Sequence, residues 1–232
     1  GRTRVLLIAS TGRHFSAGMA LDVFGGGLAM LDTSQARRRL AFQDGLRQLM
    51  RCFDVIEEAR FPVIASLVPV GARVLDLGCG SGELLAHLQQ HKGCTGYGIE
   101  IADANVLGSV QRGINVIQLN LEEGLALFDD ASFDVVLQLD TLQHLRNTAH
   151  MLRETARVGR IGIVSFPNFA HWPNRLRVLG GRMPVTKTLP YEWYDTPNIR
   201  VGTYADFEVL ARKSGLRVTD SFGLQDGRVV RR

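Results

Sequence analysis

Long apolar runs are absent from this sequence, and cysteine is scarce. No stretch approaches the about 18 consecutive apolar residues that span a membrane, and the apolar run Val5–Ile8 is too short for a signal peptide. The three cysteines, Cys52, Cys79 and Cys94, lie far apart without Cys-x-x-Cys spacing or paired histidines. These absences argue against a disulfide framework and a zinc site. They predict a soluble protein of the reducing cytoplasm that holds no metal.

Concentrated charge of one sign is also lacking. The 232 residues carry a formal charge of +4 and include 45% hydrophobic residues, enough for one good core. Arg37–Arg39 is the only run of three basic residues, and Arg47 and Arg51 follow on the same predicted helix. A solvated helix face explains these arginines better than nucleic-acid binding, because no RNA- or DNA-binding motif accompanies them. We therefore expect neither a nucleic-acid partner nor a membrane partner.

The most informative feature that is present is a short apolar strand that runs into three alternating glycines and then into a helix. The predicted strand contains Val74–Leu77, and the predicted helix is Glu83–His91. The glycines let the backbone turn tightly with nothing projecting, which is typical of a nucleotide-binding turn. They are Gly78, Gly80 and Gly82.

Two carboxylates indicate which nucleotide the turn would bind. Asp76 stands two residues before the first glycine, in a pattern that differs from the dinucleotide fingerprint Gly-x-Gly-x-x-Gly. Its charge would repel a phosphate but suits a cationic amino group. Glu100 ends the next apolar strand, where an acidic side chain can hold both ribose hydroxyls. A tight strand-to-helix connection without a ligand is the alternative.

Strands and helices alternate from residue 67 onward, which predicts an α/β fold built on a doubly wound parallel sheet. Ligands of such sheets bind beyond the carboxyl ends of the strands, at the point where the strand order reverses. A capping box at Thr203–Asp206 opens a further helix, and Leu216–Phe222 predicts a further strand. The other predicted strands are 73–77, 96–100, 115–119, 133–138 and 161–166, and the other helices are 83–91, 102–112 and 151–158.

The turn and the two acids resemble motif I and the acidic ribose residue of class I S-adenosylmethionine-dependent methyltransferases. The resemblance implies a Rossmann-like fold and a site for S-adenosylmethionine or S-adenosylhomocysteine. Asn120 stands where an aspartate often follows the third strand, and it could accept a hydrogen bond from adenine or be an ordinary turn residue. Cys79 is expected to pack against the sheet rather than react. The residues assigned to the cofactor are Asp76, Gly78, Cys79, Gly80, Gly82, Glu100, Ile101, Asn120 and Leu121.

A catalytic motif is much less evident. The segment Gln138–His144 lacks the Asn/Asp-Pro-Pro-aromatic signature of amino-methylating enzymes. His144 is the one nearby candidate base, although a histidine at a helix start is more often a packing or surface residue. Asp140 is expected to be structural or to cap a helix. The sequence therefore offers His144 as a weak catalytic candidate and leaves enzymatic activity open.

The first 65 residues resemble a different family, the enoyl-CoA hydratase/isomerase (crotonase) family. The resemblance rests on two segments, Arg4–Met19 and Phe61–Ala65. Each contains a predicted strand, and a predicted helix separates them. It implies that the backbone N–H of Ala17 is one of two donors to a thioester carbonyl. The second donor and the catalytic carboxylates have no counterpart here. We therefore predict an incomplete α/β fragment of crotonase type at 1–65 and a methyltransferase-like domain at 66–232.

Residues 64–222 closely resemble the methionine biosynthesis protein W (MetW) family. The resemblance implies a cytoplasmic methyltransferase-like protein that acts in methionine biosynthesis with homoserine O-acyltransferase. Prolines interrupt residues 166–199, which therefore cannot be one helix and are expected to cover a ligand or present aromatic side chains to a partner. Besides the glycine turn, the resemblance rests on Gly113–Gln118, Phe166–Trp172, Gly181–Thr186 and Leu189–Ile199.

The end of the chain departs from the MetW pattern. After Asp226 only six residues remain, whereas the family would supply a final antiparallel strand that inserts beside the fifth. A central position of the sheet would then lie open. The predicted strand Arg4–Ser10, or a strand from a neighbouring chain, could fill it.

Three functions remain open on the sequence alone. The first is a MetW-like protein that binds the cofactor and modulates homoserine acylation. The second is an active methyltransferase on an unidentified small molecule, and the third is a crotonase-type acyl-CoA-binding or hydratase/isomerase protein. The absent general base argues against the third, while the missing catalytic motif separates the first two only weakly.

Overall fold

The computed structural model of the protein describes residues 4–10, 61–186, 189–225 and 228–230. Within these ranges no helix is long and apolar enough to cross a membrane. The strands are β1 (Arg4–Ser10), β2 (Arg73–Leu77), β3 (Thr95–Glu100), β4 (Val116–Gln118), β5 (Phe133–Leu139), β6 (Gly159–Pro167), β7 (Arg217–Gln225) and β8 (Arg228–Val230). The helices are α1 (Phe61–Leu67), α2 (Glu83–Lys92), α3 (Asp103–Gln111), α4 (Thr148–Val158), α5 (Trp172–Leu179) and α6 (Tyr204–Lys213), with short 3-10 helices at Leu121–Glu123 and Leu142–His144.

The described strands form one sheet in the order β4-β3-β2-β5-β6-β1-β7-β8. All neighbouring pairs are parallel except β7 and β8. From β2 the chain continues to β3 and β4 on one side, and it then returns to β5 and β6 on the other. The strand order therefore reverses between β2 and β5, whose carboxyl ends flank the crevice where such sheets bind ligands. This confirms the predicted doubly wound parallel sheet.

Helices cover both faces of the sheet, which explains why its strands are apolar along their whole length. Side chains alternate between the faces along β5. Val135 and Leu137 pack with α1 and α2, while Val136 packs with α4 and α6. All three side chains are fully buried. This two-sided core holds the carboxyl edge of the sheet, where the candidate site lies, in a fixed position.

The N-terminal strand β1 lies in the middle of the sheet. It pairs in parallel with β6 on one side and with β7 on the other, so that Leu7 lies opposite both Val164 and Ser221. Of the two strands considered for this position, Arg4–Ser10 is therefore the one found there, and it runs parallel to both neighbours, unlike the antiparallel strand expected from the MetW pattern. The last described residues form β8, which pairs with the outer edge of β7. Among the described residues, β1 thus lies inside the sheet and β8 lies at its edge.

The prediction of a strand at Phe61–Ala65 is wrong, because this segment begins helix α1. Pro62 is tolerated there, since the first turn of a helix needs no N–H from it. Four apolar residues at spacings of one helical turn face the core, whereas a half-buried strand would have buried alternate residues. They are Phe61, Ile64, Ala65 and Val68. Of the rest of the crotonase resemblance, the strand predicted at Arg4–Ser10 is present as β1, whereas residues 11–60, Ala17 included, lie outside the described residues.

Capping residues account for the observed helix starts. Helix α4 begins three residues before the predicted position because Asn147 Oδ1 accepts a hydrogen bond from the His150 N–H at 3.2 Å. The predicted cap of α6 is confirmed, with Thr203 Oγ1 accepting from the Asp206 N–H at 3.2 Å. These caps place the first turns of α4 and α6 at the carboxyl side of the sheet.

Candidate functional site

The three glycines of the turn all adopt left-handed backbone conformations, with φ of +80° at Gly78, +57° at Gly80 and +79° at Gly82. A Cβ on Gly78 would lie 2.9 Å from Thr141 Oγ1, and a Cβ on Gly82 would lie 2.8 Å from Ser109 Oγ. Nothing lies within 4 Å of the Cβ position of Gly80. At the outer two positions, both the close packing and the positive φ therefore require glycine. The middle one faces open space, where a ligand can approach the backbone.

Backbone hydrogen bonds attach this turn to the end of β3. The N–H groups of Gly78 and Cys79 both donate to the carbonyl oxygen of Ile99, at 2.8 and 3.0 Å. The N–H of Gly80 donates to Glu100 Oε2 at 2.9 Å. The acid and the glycine turn, which the sequence predicts to converge, are therefore in direct contact.

The Glu100 carboxylate is buried, with 9% of the residue exposed, and it is already well occupied. Its Oε1 accepts from the N–H groups of Ile101 at 2.8 Å and Ala102 at 2.9 Å, while Oε2 accepts from Gly80. A carboxylate offers about four lone-pair positions, so three are in use. Holding both hydroxyls of a ribose would require Glu100 to release one backbone partner. This side chain therefore also positions the turn.

Asp76 and Cys79 lie on the buried side of the turn. Asp76 is 4% exposed and lies opposite Gly98 of β3 and Leu137 of β5. Burial, and after it the negative charge of Asp76, raises the pKa of the Cys79 thiol to about 12. A Cβ on Gly98 would lie only 2.4 Å from Cys79 Sγ. The thiol is therefore protonated at neutral pH and closely packed, which agrees with the expected packing role.

Asn120 and Leu121 follow β4, at the same edge of the sheet. Asn120 is exposed, and its Oδ1 accepts from the Glu122 N–H at 3.0 Å, which caps the short helix Leu121–Glu123. Leu121 is buried in the core. The turn role weighed for Asn120 is therefore present in the structure. A role in binding adenine stays a prediction, and one lone pair of Oδ1 remains available for it.

Asp140 and His144 follow the carboxyl end of β5. Asp140 has a φ of +52°, which is uncommon outside glycine, and its N–H donates to Ser165 Oγ at 3.0 Å. No local pattern predicts this conformation, since aspartate is also common in ordinary turns. His144 is exposed, and its Nδ1 lies 3.2 Å from the carbonyl oxygen of Pro197. A proton on Nδ1 would leave Nε2 as the acceptor, so a role as base stays a prediction.

With the geometry described, comparison with known proteins identifies the family. The family model for methionine biosynthesis protein MetW matches residues 58–231. The chain belongs to the MetW family. The match begins three residues before α1 and includes every described element after β1.

Curated relatives of this MetW-family chain cover different parts of it. The bifunctional methionine biosynthesis protein MetXA/MetW of Rhodopirellula baltica is 41% identical over 155 residues, which are 62% of this chain and 25% of that protein. The 27-O-demethylrifamycin SV methyltransferase of Amycolatopsis mediterranei is 32% identical over 43% of this chain and 39% of its own length. A ubiquinone biosynthesis O-methyltransferase of Ralstonia nicotianae is 30% identical over 73% and 74%. The chain thus spans a quarter of the first relative and well under half of the second.

Solved structures share the fold. A possible histamine N-methyltransferase from Thermotoga maritima aligns with a TM-score of 0.54 and 20% identity, over 75% of this chain and 78% of that one. The YcgJ protein of Bacillus subtilis aligns with a TM-score of 0.50 and 16% identity, over 68% of each chain. At these identities the likeness concerns the fold, which is the Rossmann-like fold of class I methyltransferases.

A cavity of about 380 Å³ adjoins the short helix Leu142–His144, and the sequence did not predict it. Its walls come from the segment after β5, the start of α4, the end of β6, residues 189–202 and the start of α6. These segments are far apart in the sequence and meet only in the folded protein. No local sequence motif therefore predicts the cavity. In the described part of the chain, no group of three or more His, Cys, Asp or Glu side chains is arranged to hold a metal ion.

Proposed function

We propose that this protein is a cytoplasmic, MetW-type protein that binds S-adenosylmethionine or S-adenosylhomocysteine at the glycine turn. We further propose that it acts in methionine biosynthesis together with homoserine O-acyltransferase. The contact between Glu100 Oε2 and the Gly80 N–H carries the proposal, because it places a buried carboxylate against the turn. A dinucleotide site would instead present the turn to a pyrophosphate.

The residues around the turn suit the parts of this cofactor. Asp76 supplies a buried carboxylate for the amino group of the methionine part. Glu100 has one lone-pair position free for a ribose hydroxyl and gains a second when it releases one backbone partner. Ile101 exposes 60% of its surface beside Glu100, which offers an apolar surface to the purine ring. Asn120 and Leu121 lie at the same edge of the sheet, after β4. The open space at Gly80 lets the cofactor approach the backbone closely.

An active methyltransferase on a small molecule is the second candidate function. The similarity of this chain to the ubiquinone biosynthesis O-methyltransferase of Ralstonia nicotianae covers most of both chains, and it favours this second function. His144 would then be the base, with Nδ1–H donating to the Pro197 carbonyl and Nε2 receiving the proton of the acceptor. We rank this function second because no other side chain in the described residues supports His144 in that role.

Calorimetric titration of the protein with S-adenosylmethionine, S-adenosylhomocysteine and crotonyl-CoA tests the proposal directly. We expect heat from the first two ligands at one site per chain. Absence of binding by both, in a sample whose circular dichroism shows a folded protein, would overturn the proposed cofactor site.

Crotonyl-CoA should not be hydrated by this protein. Ala17 could supply one backbone donor to a thioester, but a single donor cannot replace the missing proton-transfer group. A spectrophotometric assay that follows loss of the conjugated thioester should therefore give the rate of the buffer alone. Turnover that disappears when Ala17 is replaced by proline would contradict this prediction and revive the crotonase function.

The contact with the acyltransferase should use the aromatic segment, residues 169–199. Trp193 and Tyr194 expose 69% and 72% of their surfaces, and their rings meet edge to face with centroids 5.6 Å apart. Large, exposed aromatic side chains are the usual anchors of protein interfaces. The Rhodopirellula relative is named as MetXA and MetW in one bifunctional protein, which supports such a pairing.

Trp193→Ala and Tyr191→Ala should each weaken the affinity for homoserine O-acyltransferase, measured by co-purification, by about thirtyfold, because truncating an anchor residue typically costs ~2 kcal/mol. Leu107→Ala is the matched control, since Leu107 is an exposed apolar residue on α3, outside the segment. All three variants should still bind S-adenosylhomocysteine. If both aromatic variants kept the partner at wild-type affinity, the segment would be better explained as a cover over a small substrate.

A further inference from the structure

The cavity described above has the size and lining of a small-ligand site. Its volume of about 380 Å³ falls within the range of about 300–1,000 Å³ found for such sites. Its apolar wall includes Leu142, Phe166, Phe169 and Phe207. None of the residues assigned to the cofactor lines it. It is therefore a separate space, reached from the same carboxyl edge of the sheet.

One polar side chain in the wall is buried without a partner. Gln143 is 8% exposed, and its Oε1 has no hydrogen-bond partner among the described residues. Its backbone carbonyl is satisfied, because it accepts from the N–H groups of Ile199 and Arg200, both at 3.0 Å. Leaving a buried polar group unpaired costs about 1–3 kcal/mol. The oxygen is covered by neighbouring atoms, so a turn of the side-chain amide toward the cavity would let an occupant that donates a hydrogen bond satisfy it.

Positive potential surrounds another part of the wall. The first turn of α4 contributes Thr148 and Ala149, and helix N-termini attract negative charge through their unpaired N–H groups. Arg146 and Arg200 line the cavity and form no ion pair with a described residue. Arg200 Nη2 donates to the backbone carbonyl of Arg146 at 2.8 Å, which holds the two arginines near each other.

Two carboxylates adjoin this charge. Glu122 accepts from the backbone N–H groups of Arg146 and Asn147, just before α4, which leaves the arginine side chains as the cationic groups of the wall. Asp206, the one acidic residue in the wall, is engaged in a helix cap. Asp206 Oδ2 accepts from the Thr203 hydroxyl at 2.5 Å, and the Asp206 N–H donates back to Thr203 Oγ1. The cavity therefore combines an apolar body, a cationic end and one buried acceptor.

We propose that this cavity binds a small carboxylic acid with an apolar body and one hydrogen-bond donor. The carboxylate would lie between the side chains of Arg146 and Arg200, and the donor would reach Gln143 Oε1 once the amide group turns toward the cavity. Such a ligand could be recognised whether or not it is ever methylated, so this inference does not rest on the proposed function.

Titration with three matched probes tests each part of the proposal. The probes are 3-(4-hydroxyphenyl)propanoate, its uncharged primary amide and 3-phenylpropanoate, which lacks the hydroxyl. We expect the first to bind about tenfold more tightly than the amide, because a charged hydrogen bond is stronger than a neutral one. We expect it to bind about fivefold more tightly than the dehydroxylated acid.

Three variants assign these preferences to residues. Arg146→Met should remove the preference for carboxylate over amide, and Gln143→Leu should remove the preference for the hydroxyl. Arg153→Met makes the same charge change at an exposed position of α4 that does not line the cavity, and it should leave both preferences intact. Retention of the other preference in each variant shows that the cavity is still folded.

The titrations are run with and without saturating S-adenosylhomocysteine, which separates the two sites. Probe binding in a protein that fails to bind S-adenosylhomocysteine would overturn the proposed function and support this inference. Absence of probe binding by the folded wild-type protein would overturn the inference. So would equal affinities for the carboxylate and the amide.

Discussion

Glu100→Ala should weaken the binding of S-adenosylhomocysteine about tenfold or more. A carboxylate that accepts hydrogen bonds from two ribose hydroxyls contributes ~2 to 3 kcal/mol to the binding free energy. The alanine variant loses this contribution entirely. The variant also loses the contact from Glu100 Oε2 to the Gly80 N–H at 2.9 Å, so the turn itself is less well held. Isothermal titration calorimetry of the wild type and the variant measures the change.

A second variant separates these two causes. Glu100→Gln keeps one oxygen that can accept from the backbone or the ribose, so we expect a smaller loss of affinity than in Glu100→Ala. Asp129→Ala removes a negative charge at an exposed position and should bind normally. Unfolding of each ligand-free variant reports the structural part of the effect. Wild-type affinity in a stably folded Glu100→Ala protein would exclude Glu100 from the site.

Local motifs explain why this part of the site could be predicted. Gly78, Gly80 and Gly82 stand within one strand-to-helix connection, and their positive φ values are the ones that such a turn requires. Glu100 ends the adjacent parallel strand, and the carboxyl ends of neighbouring parallel strands meet at one edge of a sheet. Sequence spacing and sheet geometry therefore point to the same place.

The cavity around Gln143 could not be predicted in this way. Gln143, Phe166, Arg200 and Phe207 belong to four different segments, and each residue alone is ordinary for its position. Their proximity depends on the backbone contacts of residues 198–202 with the segment after β5. Local sequence patterns carry no information on such long-range packing. The same limit applies to the left-handed backbone of Asp140, which depends on its contact with Ser165.

The error at Phe61–Ala65 has a different cause. A run of four or five apolar residues is compatible with a buried strand and with the buried face of a helix, and periodicity cannot separate them at this length. The burial of Val68 and the packing of Phe61 and Ile64 on α2 show that the helical period continues past the run. A prediction that included residues 66–68 in the same element would have found it.

Of the two strands considered for the position beside β6, Arg4–Ser10 is the one that the structure shows there. The strand itself is a plain apolar run, and it lies between β6 and β7. An open position between β6 and β7 would expose the N–H and C=O groups of both strands, which is unfavourable in a sheet covered by helices. β1 satisfies both rows of groups at once.

A proline in β1 should therefore destabilise the whole sheet. Leu7→Pro removes an N–H from a strand that is paired on both sides, opposite Val164 and Ser221. The carbonyl left without its donor costs about 1–3 kcal/mol, and the proline ring displaces the neighbouring backbone as well. We expect the free energy of unfolding to fall by at least about 2 kcal/mol. In a chain of this size that lowers the Tm by roughly 5 °C or more.

Urea denaturation of the wild type, Leu7→Pro and Leu7→Val measures this effect. Leu7→Val keeps the N–H and a side chain that favours strands, so its midpoint should stay close to that of the wild type. The alternative weighed for this position was a strand from a neighbouring chain, and light scattering distinguishes it. A proline variant that unfolds at the wild-type midpoint, in a protein that is dimeric, would mean that a second chain rather than β1 fills the gap beside β6.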